Sequence, residues 1–185
     1  MTRPGVEREI KLRFPSVGEA RRAVITSGAT PVAARRLQED TLLDTSERLL
    51  GERGCTLRVR RDGKESRVTF KGPVQPAAMK VREEIETAVG DGPTMLELLG
   101  RLGFSPSVRY QKYREEFSAP GILVAIDETP VGVFVELEGS EEGIAATASA
   151  LGRTESDYIR ESYLTLFRAH REALGLRGPD MLFQP

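Results

Sequence analysis

The sequence predicts an α+β fold in which eight antiparallel strands close into a barrel, a tunnel with a charged lumen and helices packed on its outside. Three observations support this fold class. Eight strand-like segments are joined mostly by short turns, which favour antiparallel neighbours. At least three helical segments carry apolar stripes that have to be buried, and the apolar faces of the strands are the available partners. On most strands the opposite face is charged, so closing the sheet would place those charges in the lumen.

The first half of the chain alternates short strands with turn residues. Ser16 and Glu19 form a predicted capping box, which opens a helix that ends near Gly28. The pair Asp62-Gly63 predicts a hairpin turn, and Gly72-Pro73 ends that hairpin. Residues 46–54 and 74–80 are predicted loops. The predicted strands of this half are residues 6–14, 36–44, 56–61, 66–71 and 82–89.

The second half contains the remaining strands and further helices. A helix is predicted over residues 91–102, with an apolar stripe and a stop at Gly103. The tail, residues 175–185, is predicted to be ragged. The length of 185 residues suits one domain, 1–185, whose core runs from about residue 6 to residue 174. Strands are predicted over 108–117, 122–128 and 133–138, and helices over 141–151 and 157–174.

Composition argues against several classes of partner. Although 30% of the residues are charged, the formal net charge is only −1, so the bulk charge predicts no nucleic-acid partner. No apolar run approaches the ~20 residues that a membrane-spanning helix needs. The chain enters its first strand without an apolar signal region, and its one cysteine, Cys55, cannot form an internal disulfide. These features predict a cytoplasmic protein with no membrane partner, and they leave its oligomeric state open.

Charge on alternate residues of the first strand is the most informative pattern. Glu7, Glu9 and Lys11 lie on one face, because successive side chains of a strand point to opposite sides. Two carboxylates about 6.6 Å apart along a strand can bind one divalent cation, or one each of two, through oxygen ligands. The lysine beside them can contact an anion that the metal holds. An exposed strand is also often charged, so this strand alone leaves both interpretations open.

The same alternation on later strands favours the lumen. Helices that cover the apolar faces would leave the charged faces pointing inward, where charges are costly unless they pair or bind polar ligands. Carboxylates with converging arginines and lysines suit a phosphate chain bound together with a divalent metal. The alternating charged positions are Arg58 and Arg60, Arg67 and Lys71, Arg82, Glu84 and Glu86, Lys112 and Arg114, Asp127, and Glu136 and Glu138.

Other phosphate-binding and catalytic motifs are missing from the sequence. It contains no Gly-x-x-x-x-Gly-Lys-Ser/Thr loop, so side chains would have to hold the phosphates. The single histidine, His170, lies in the last predicted helix and is expected to be exposed. It supports neither a histidine-based catalytic triad nor a zinc site.

An ordered set of motifs resembles the CYTH, or triphosphate tunnel metalloenzyme, superfamily. The set begins with Glu7-x-Glu9-x-Lys11 and spans about residues 6–166. The first motif alone is modestly specific, whereas the ordered set is highly specific. The further motifs are Gln38-Glu39-Asp40, Leu57-Arg58-Val59-Arg60, Thr69-Phe70-Lys71-Gly72-Pro73, Arg82-Glu83-Glu84-Ile85-Glu86, Lys112-Tyr113-Arg114, Asp127, residues 132–138, and Ser162-Tyr163.

The resemblance implies roles for most of the charged positions and a small-molecule triphosphate as the partner. Mg²⁺ or Mn²⁺ is the expected cofactor, because the chemistry depends on bridging phosphate oxygens to carboxylates. The implied metal ligands are Glu7, Glu9, Asp127, Glu136 and Glu138. The implied phosphate contacts are Lys11, Arg58, Arg60, Lys71, Lys112 and Arg114. Glu84, Glu86 and Arg82 are expected to support the metal or balance charge, and Lys11, Glu9 and Glu136 are the predicted catalytic residues.

Three functions stay open beside this resemblance. The family holds triphosphatases and class IV adenylate cyclases, which share one site and differ in the attacking group. Hydrolysis of tripolyphosphate or an organic triphosphate is favoured, because it needs only the tunnel and the sequence shows no adenine-reading motif. Conversion of ATP to cyclic AMP and pyrophosphate is the second candidate. A non-catalytic polyphosphate- or nucleotide-binding barrel is the third, and it would not need the metal-binding acids.

Lys11 is the residue predicted to separate substrate binding from chemistry. Nearby cations are expected to depress its pKa, which would let its amine help to activate the nucleophile. A salt bridge to a lumen glutamate is the equal alternative, and the sequence does not divide the two.

Overall fold

The structure is a computed structural model that describes residues 5–184, and these residues contain eight strands that form one closed antiparallel barrel. The strands are β1 (Gly5–Phe14), β2 (Thr30–Asp44), β3 (Thr56–Asp62), β4 (Glu65–Lys71), β5 (Lys80–Val89), β6 (Ser105–Ala119), β7 (Ile122–Thr129) and β8 (Gly132–Gly139). Their order around the barrel is β1-β5-β4-β3-β2-β6-β7-β8. The predicted fold class is therefore confirmed.

The first strand closes the barrel because it pairs with a different neighbour at each end. Its first half lies antiparallel to β5, with Glu7 opposite Arg82. Its second half lies antiparallel to β8, with Glu9 opposite Glu138 and Lys11 opposite Glu136. The charged motif of β1 therefore meets charged residues of both neighbouring strands on the same inner face.

Helices surround the barrel and are stabilised at their first turns by side-chain caps. Ser16 Oγ accepts the backbone N–H of Glu19 at 3.2 Å, so the predicted start of the first helix is confirmed. Asp91, Ser140 and Ser162 cap later helices in the same way. The helices are α1 (Val17–Thr26), α2 (Leu49–Glu52), α3 (Gly92–Arg101), α4 (Glu141–Ala150) and α5 (Tyr163–His170). The short α2 lies in a segment that was predicted to be a loop.

The hydrophobic core lies between the helices and the outer faces of the strands. The largest cluster packs α1 and α4 against β1, β7 and β8, and Ile10, Leu12 and Leu137 are fully buried in it. A second cluster places Leu99 of α3 against Val59 of β3. Because this outer layer is apolar, the polar residues of the same strands face the lumen, as the alternation predicted.

The C-terminal region differs from the prediction of one helix over 157–174. A 3₁₀ turn, Glu155–Asp157, is followed by an extended stretch in which Ile159 exchanges two backbone hydrogen bonds of 2.9 Å with Lys11. This stretch is extended because β5 pairs with β1 only as far as Glu9, which leaves the edge of β1 free beyond that point. The helix α5 begins only at Tyr163, and His170 at its end is exposed, as predicted.

Part of the predicted ragged tail also packs against the barrel. Met181 is fully buried, and its backbone pairs with Arg109 and Gln111 of β6 through two hydrogen bonds of 2.9 Å. The pairing of β7 with β6 begins only at Tyr113, so the edge of β6 before that residue is free to accept it. The chain after β8 thus contacts both β1 and β6.

Strand lengths differ from the predictions at three places. Strands β2 and β6 are longer than predicted, since they pair with each other along most of their length through three register shifts. Strand β5 begins at Lys80, the last residue of the segment that the sequence predicts to be a loop. The predicted hairpin is confirmed, and Gly63 takes the positive φ of 62° that its turn requires.

None of the helices within residues 5–184 has the length and apolarity that a membrane crossing requires.

Candidate active site in the barrel lumen

The inward side chains of the strands enclose a cavity of about 840 Å³. Every predicted site residue except Asp127 lines this cavity, and the structure therefore brings the set together. The lining includes Glu7, Glu9, Lys11, Arg58, Arg60, Lys71, Arg82, Glu84, Glu86, Lys112, Arg114, Glu136 and Glu138. Asp127 is 0% exposed and lies behind Lys112 and Arg114.

The two acids of β1 are buried and paired with basic residues of β5. Glu7 accepts a hydrogen bond of 2.9 Å from Arg82 Nε. Glu9 accepts hydrogen bonds from Lys80 and, at 3.0 Å, from Lys11. Burial raises the pKa of Glu9, but the neighbouring lysines outweigh it and hold that pKa well below its ordinary value. The neighbouring lysines therefore favour the ionised form of Glu9.

Glu138 differs from Glu7, Glu9 and Glu136 because most of the charges that act on it are carboxylates, with Lys71 as the opposing cation. Within residues 5–184 it forms no ion pair, whereas Glu136 binds both Lys11 and Arg114. Burial and the charges of Glu136 and Glu7 raise the pKa of Glu138 to about 7. A cation placed beside Glu138 would relieve this repulsion.

Lys11 lies between two acids, which corrects the expectation of a depressed pKa. Its Nζ is 3.0 Å from Glu9 and 3.4 Å from Glu136, and the residue is 2% exposed. Burial alone would lower the pKa of Lys11, but Glu9 and Glu136 raise it above its ordinary value. The salt-bridge interpretation of Lys11 is the one that this geometry supports.

Two other lysines of the lumen, Lys80 and Lys112, have a lowered pKa instead, in both cases mainly because they are buried. Burial and the adjacent guanidinium of Arg114 lower the pKa of Lys112 to about 8. Its Nζ donates to Asp127 Oδ2 at 2.9 Å. Arg114 binds the same carboxylate through Nε and a terminal nitrogen at 2.7 and 2.6 Å, and it also donates to Glu136 at 2.6 Å. Asp127 thus fixes the orientation of both basic side chains.

Asp40 anchors a second pair of basic side chains in the same manner. Its two carboxylate oxygens accept Arg60 Nε and a terminal nitrogen of Arg60 at 2.8 and 2.9 Å. Arg58 Nε lies 3.5 Å from Asp40 Oδ1 and is buried without a hydrogen-bond partner in the described part of the chain. Burial raises the pKa of Asp40, but Arg60 and Arg58 lower it to about 2. The guanidinium groups of Arg58 and Arg60 therefore lie beside a carboxylate that favours its ionised form.

Three contributors to the site were missed by reasoning from the sequence. Asp40 and Tyr163 belong to motifs on which the family resemblance rests, but the sequence suggested no role for either. Asp40 shares its strand parity with Gln38 and Leu42, both of which line the cavity, so alternation along β2 could have found it. Lys80 has the parity of Arg82, but its position in a predicted loop concealed it. Nothing in the strand pattern indicates Tyr163, because it lies outside the sheet.

Comparison with known families agrees with the geometry of this lumen. A model of the CYTH domain matches residues 5–163, which contain all eight strands of the described chain. The chain belongs to the CYTH domain family. Members of this family are triphosphatases or adenylate cyclases, and its enzymes depend on divalent metals in general.

Three relatives illustrate the range of this CYTH likeness. A protein of Methanocaldococcus jannaschii named "putative adenylate cyclase" is 32% identical over 143 residues, which cover 71% of this chain and 82% of that protein. A solved structure from Pyrococcus horikoshii OT3 is 28% identical with a TM-score of 0.70, and the alignment covers 89% of this chain and 99% of the other. An adenylyl cyclase-named protein of Hippeastrum shares the fold, with 19% identity, a TM-score of 0.65, and coverage of 94% and 98%.

The donors of this CYTH site fit a divalent cation by their chemistry. Glu9, Glu136 and Glu138 supply carboxylate oxygens to one cavity, and Glu138 has more acids than bases acting on it. Within residues 5–184 no three such side chains surround a common point, since Lys11 and Arg114 hold two of these acids in ion pairs. Binding of a cation would therefore exchange part of these ion pairs for metal–oxygen contacts.

Proposed function

We propose that this CYTH domain hydrolyses a small-molecule triphosphate in its lumen with the help of a divalent metal. The observation that carries the proposal is the convergence of buried arginines, lysines and carboxylates on one cavity of about 840 Å³. Arginine binds phosphate oxygens through two parallel donors, and lysine adds a point charge. A polyanion accompanied by a metal is the ligand that matches both signs of charge at once.

The basic pairs are the proposed phosphate-binding groups. Arg58 and Arg60 on β3 and Lys112 and Arg114 on β6 would contact phosphate oxygens, while Lys71 would contact them from β4. Phosphoryl transfer needs mainly positioning and neutralisation of developing charge. Preorganised guanidinium groups supply both, because their anchoring carboxylates already fix their direction.

The acids of β1 and β8 are the proposed metal ligands. Glu7, Glu9, Glu136 and Glu138 supply the oxygens, and Mg²⁺ or Mn²⁺ is the proposed ion. A bound divalent cation would add positive charge at the phosphate oxygens and lower the pKa of water near it. Lys11 would neutralise Glu9 and Glu136 and contact the phosphate beside them, whereas Asp127 would act as an anchor for the basic pair. Glu84, Glu86 and Arg82 would balance charge around these ligands.

Adenylate cyclase activity is the second candidate, and the name of the Methanocaldococcus jannaschii relative favours it. The Hippeastrum protein is described as a putative adenylyl cyclase with a dominant triphosphatase activity. Hydrolysis stays the preferred proposal, because the lumen needs no base-reading pocket for it. A non-catalytic binding barrel ranks third, since it would have no use for the acids of β1 and β8.

We propose further that the whole chain acts as one domain in the cytoplasm, without nucleic acid or membrane partners.

An assay with three substrates tests the proposed function. Tripolyphosphate, thiamine triphosphate and ATP are incubated with Mg²⁺ or Mn²⁺, and phosphate, pyrophosphate and cyclic AMP are measured. Phosphate release is the expected result. Cyclic AMP with equimolar pyrophosphate as the main product would make the chain a cyclase, and no product from any substrate would support the binding barrel.

A further inference from the structure

Tyr163 reaches the lumen from outside the barrel sheet. It is the first residue of α5, and Ser162 before it caps the helix by accepting the N–H of Thr165 at 3.1 Å. The side chain lines the cavity, although the residue is only 7% exposed. A tyrosine in this place brings a hydroxyl donor and an aromatic ring, carried by a helix, into a site whose charged residues all come from the strands and the turns between them.

The hydroxyl of Tyr163 donates to Asp127 Oδ2 at 2.8 Å. The same carboxylate receives three hydrogen bonds from Lys112 and Arg114. A carboxylate accepts about four hydrogen bonds. Asp127 receives four, three of them at Oδ2 and one at Oδ1. The tyrosine hydroxyl is the one neutral donor among the four. It binds the carboxylate by a hydrogen bond without adding a positive charge.

The ring of Tyr163 lies close to two lysines of the site. The Nζ atoms of Lys11 and Lys112 lie 5.1 and 5.3 Å from the ring centroid, within the range of a cation–π contact. The ring of Tyr163 also packs against Phe134 of β8, with the two ring centroids 5.2 Å apart. The side chain is therefore fixed by packing and by its hydrogen bond at the same time.

The main chain around Tyr163 is fixed to the barrel on both sides. Ile159, four residues earlier, is paired with Lys11 of β1. Met181, after α5, is paired with Tyr110 of β6, and it shares a buried apolar cluster with Tyr163 and Phe134. The segment 159–181 thus brings Tyr163 to the lumen and is attached to strands that are not neighbours in the sheet.

We propose that Tyr163 is a positioning residue, which holds Asp127 and thereby the direction of Lys112 and Arg114 toward the substrate. The proposal rests on the proposed function, because it assigns these two basic residues to the phosphates. Without the hydroxyl, Asp127 keeps its charged partners but loses one of the four hydrogen bonds that hold its orientation. Lys112 and Arg114 would then still attract the phosphates, but their alignment in the transition state would be poorer.

The decisive variant is Tyr163→Phe, which removes the hydroxyl and keeps the ring. Tyr158→Phe is the matched control, because Tyr158 lies in the same region and packs against the outer core rather than the lumen. For tripolyphosphate with Mg²⁺ we expect kcat to fall about tenfold in Tyr163→Phe, with KM changed less than about threefold. In Tyr158→Phe both constants should stay within about twofold of the wild type. A role in stability alone would lower the Tm of Tyr163→Phe and leave its kcat at 25 °C unchanged, and that result would overturn the proposal.

A double-mutant cycle shows whether Tyr163 acts through Asp127. In an Asp127→Asn background, the change Tyr163→Phe should cost less than about twofold in kcat, because its target has already been altered. An equal loss in both backgrounds would contradict the proposal.

A measurement without turnover separates this proposal from the proposed function. The Nε–H signal of Arg114 in ¹⁵N-labelled protein, identified by its loss in Arg114→Lys, reports the order of the guanidinium. Tyr163→Phe should broaden or shift that signal, and Tyr158→Phe should leave it in place. An unchanged Arg114 signal in Tyr163→Phe would refute the positioning role, even if the wild-type protein proves to have no triphosphatase activity.

Discussion

At the scale of single residues, the lumen is organised by buried acids that hold basic side chains in fixed directions. Asp40 lies under Arg58 and Arg60, and Asp127 lies under Lys112 and Arg114. Buried ion pairs add little net stability, since desolvation offsets most of their attraction. Here the ion pairs fix orientation, because each acid holds two basic side chains so that their remaining N–H groups face the cavity.

Arginine geometry at position 60 gives the first prediction. Arg60→Lys keeps the charge but loses the two-pronged contact with Asp40, so kcat/KM for the triphosphate substrate should fall by about tenfold or more. Arg61→Lys is the matched control, because Arg61 has the opposite strand parity and 59% of its side chain is exposed. Its kcat/KM should stay within about twofold of the wild type. Steady-state kinetics on the two variants checks this, and equal losses would contradict the assignment of strand faces.

Repulsion among the acids gives the second prediction. Glu138→Gln removes a negative charge that lies beside Glu136 and Glu7, so in the presence of chelator its Tm should rise by about 2 °C or more. Glu136→Gln should lower the Tm instead, because it takes a partner from Lys11 and Arg114. Scanning calorimetry compares the two isosteric changes, and a Tm decrease in both would show that Glu138 is not held among like charges.

At the scale of elements, loops and helix ends complete what the strands begin. Residue Asp44, at the end of β2, accepts backbone N–H groups of Thr45, Leu50 and Gly51 at 2.8, 2.9 and 2.9 Å. These bonds organise the short helix α2, which is too short to be stable by itself. Burial raises the pKa of Asp44, but the three N–H groups outweigh it and lower that pKa below its ordinary value.

The third prediction is the pH dependence of this contact. Because the pKa of Asp44 is lower in the folded state, its charged form stabilises the fold above the unfolded pKa of ~3.9, and this contribution is lost as pH falls further. Asp44→Asn should therefore be less stable than the wild type by about 1 kcal/mol at pH 7 and pH 5. The difference should shrink only below pH ~3.9. Urea unfolding at each pH measures it, with Glu47→Gln, an exposed change in the same loop, as the control. A difference that fades between pH 7 and pH 5 would contradict the lowered pKa.

At the scale of the whole molecule, the alternation of side chains along strands and the apolar period of helices decided what the sequence could predict. Alternation along the strands identified the lumen residues, because the outer face of each strand had to be apolar to pack under helices. The same alternation says nothing of which carboxylate binds which base, since that depends on the side-chain conformations and on the register of neighbouring strands, which place Lys11 between Glu9 and Glu136. The pKa of Lys11 was therefore predicted in the wrong direction.

The C-terminal region could be predicted least, for a related reason. The extended pairing of Ile159 with β1 and of Met181 with β6 depends on strand edges that are free only in the closed barrel. Apolar periodicity alone favoured one long helix there, and tertiary pairing replaced its first turns. Tyr163 became part of the site only because that pairing sets where α5 begins.

The proposed triphosphate hydrolysis requires a divalent metal held by the acids of β1 and β8. The most direct test is the rate of phosphate release from tripolyphosphate, measured with Mg²⁺ or Mn²⁺ and again in excess chelator, for the wild type and for Glu136→Gln. We predict metal-dependent release by the wild type, loss of release on chelation, and a rate for Glu136→Gln that is lower by about a hundredfold or more. Undiminished release in excess chelator, or a normal metal-dependent rate in Glu136→Gln, would contradict the claim.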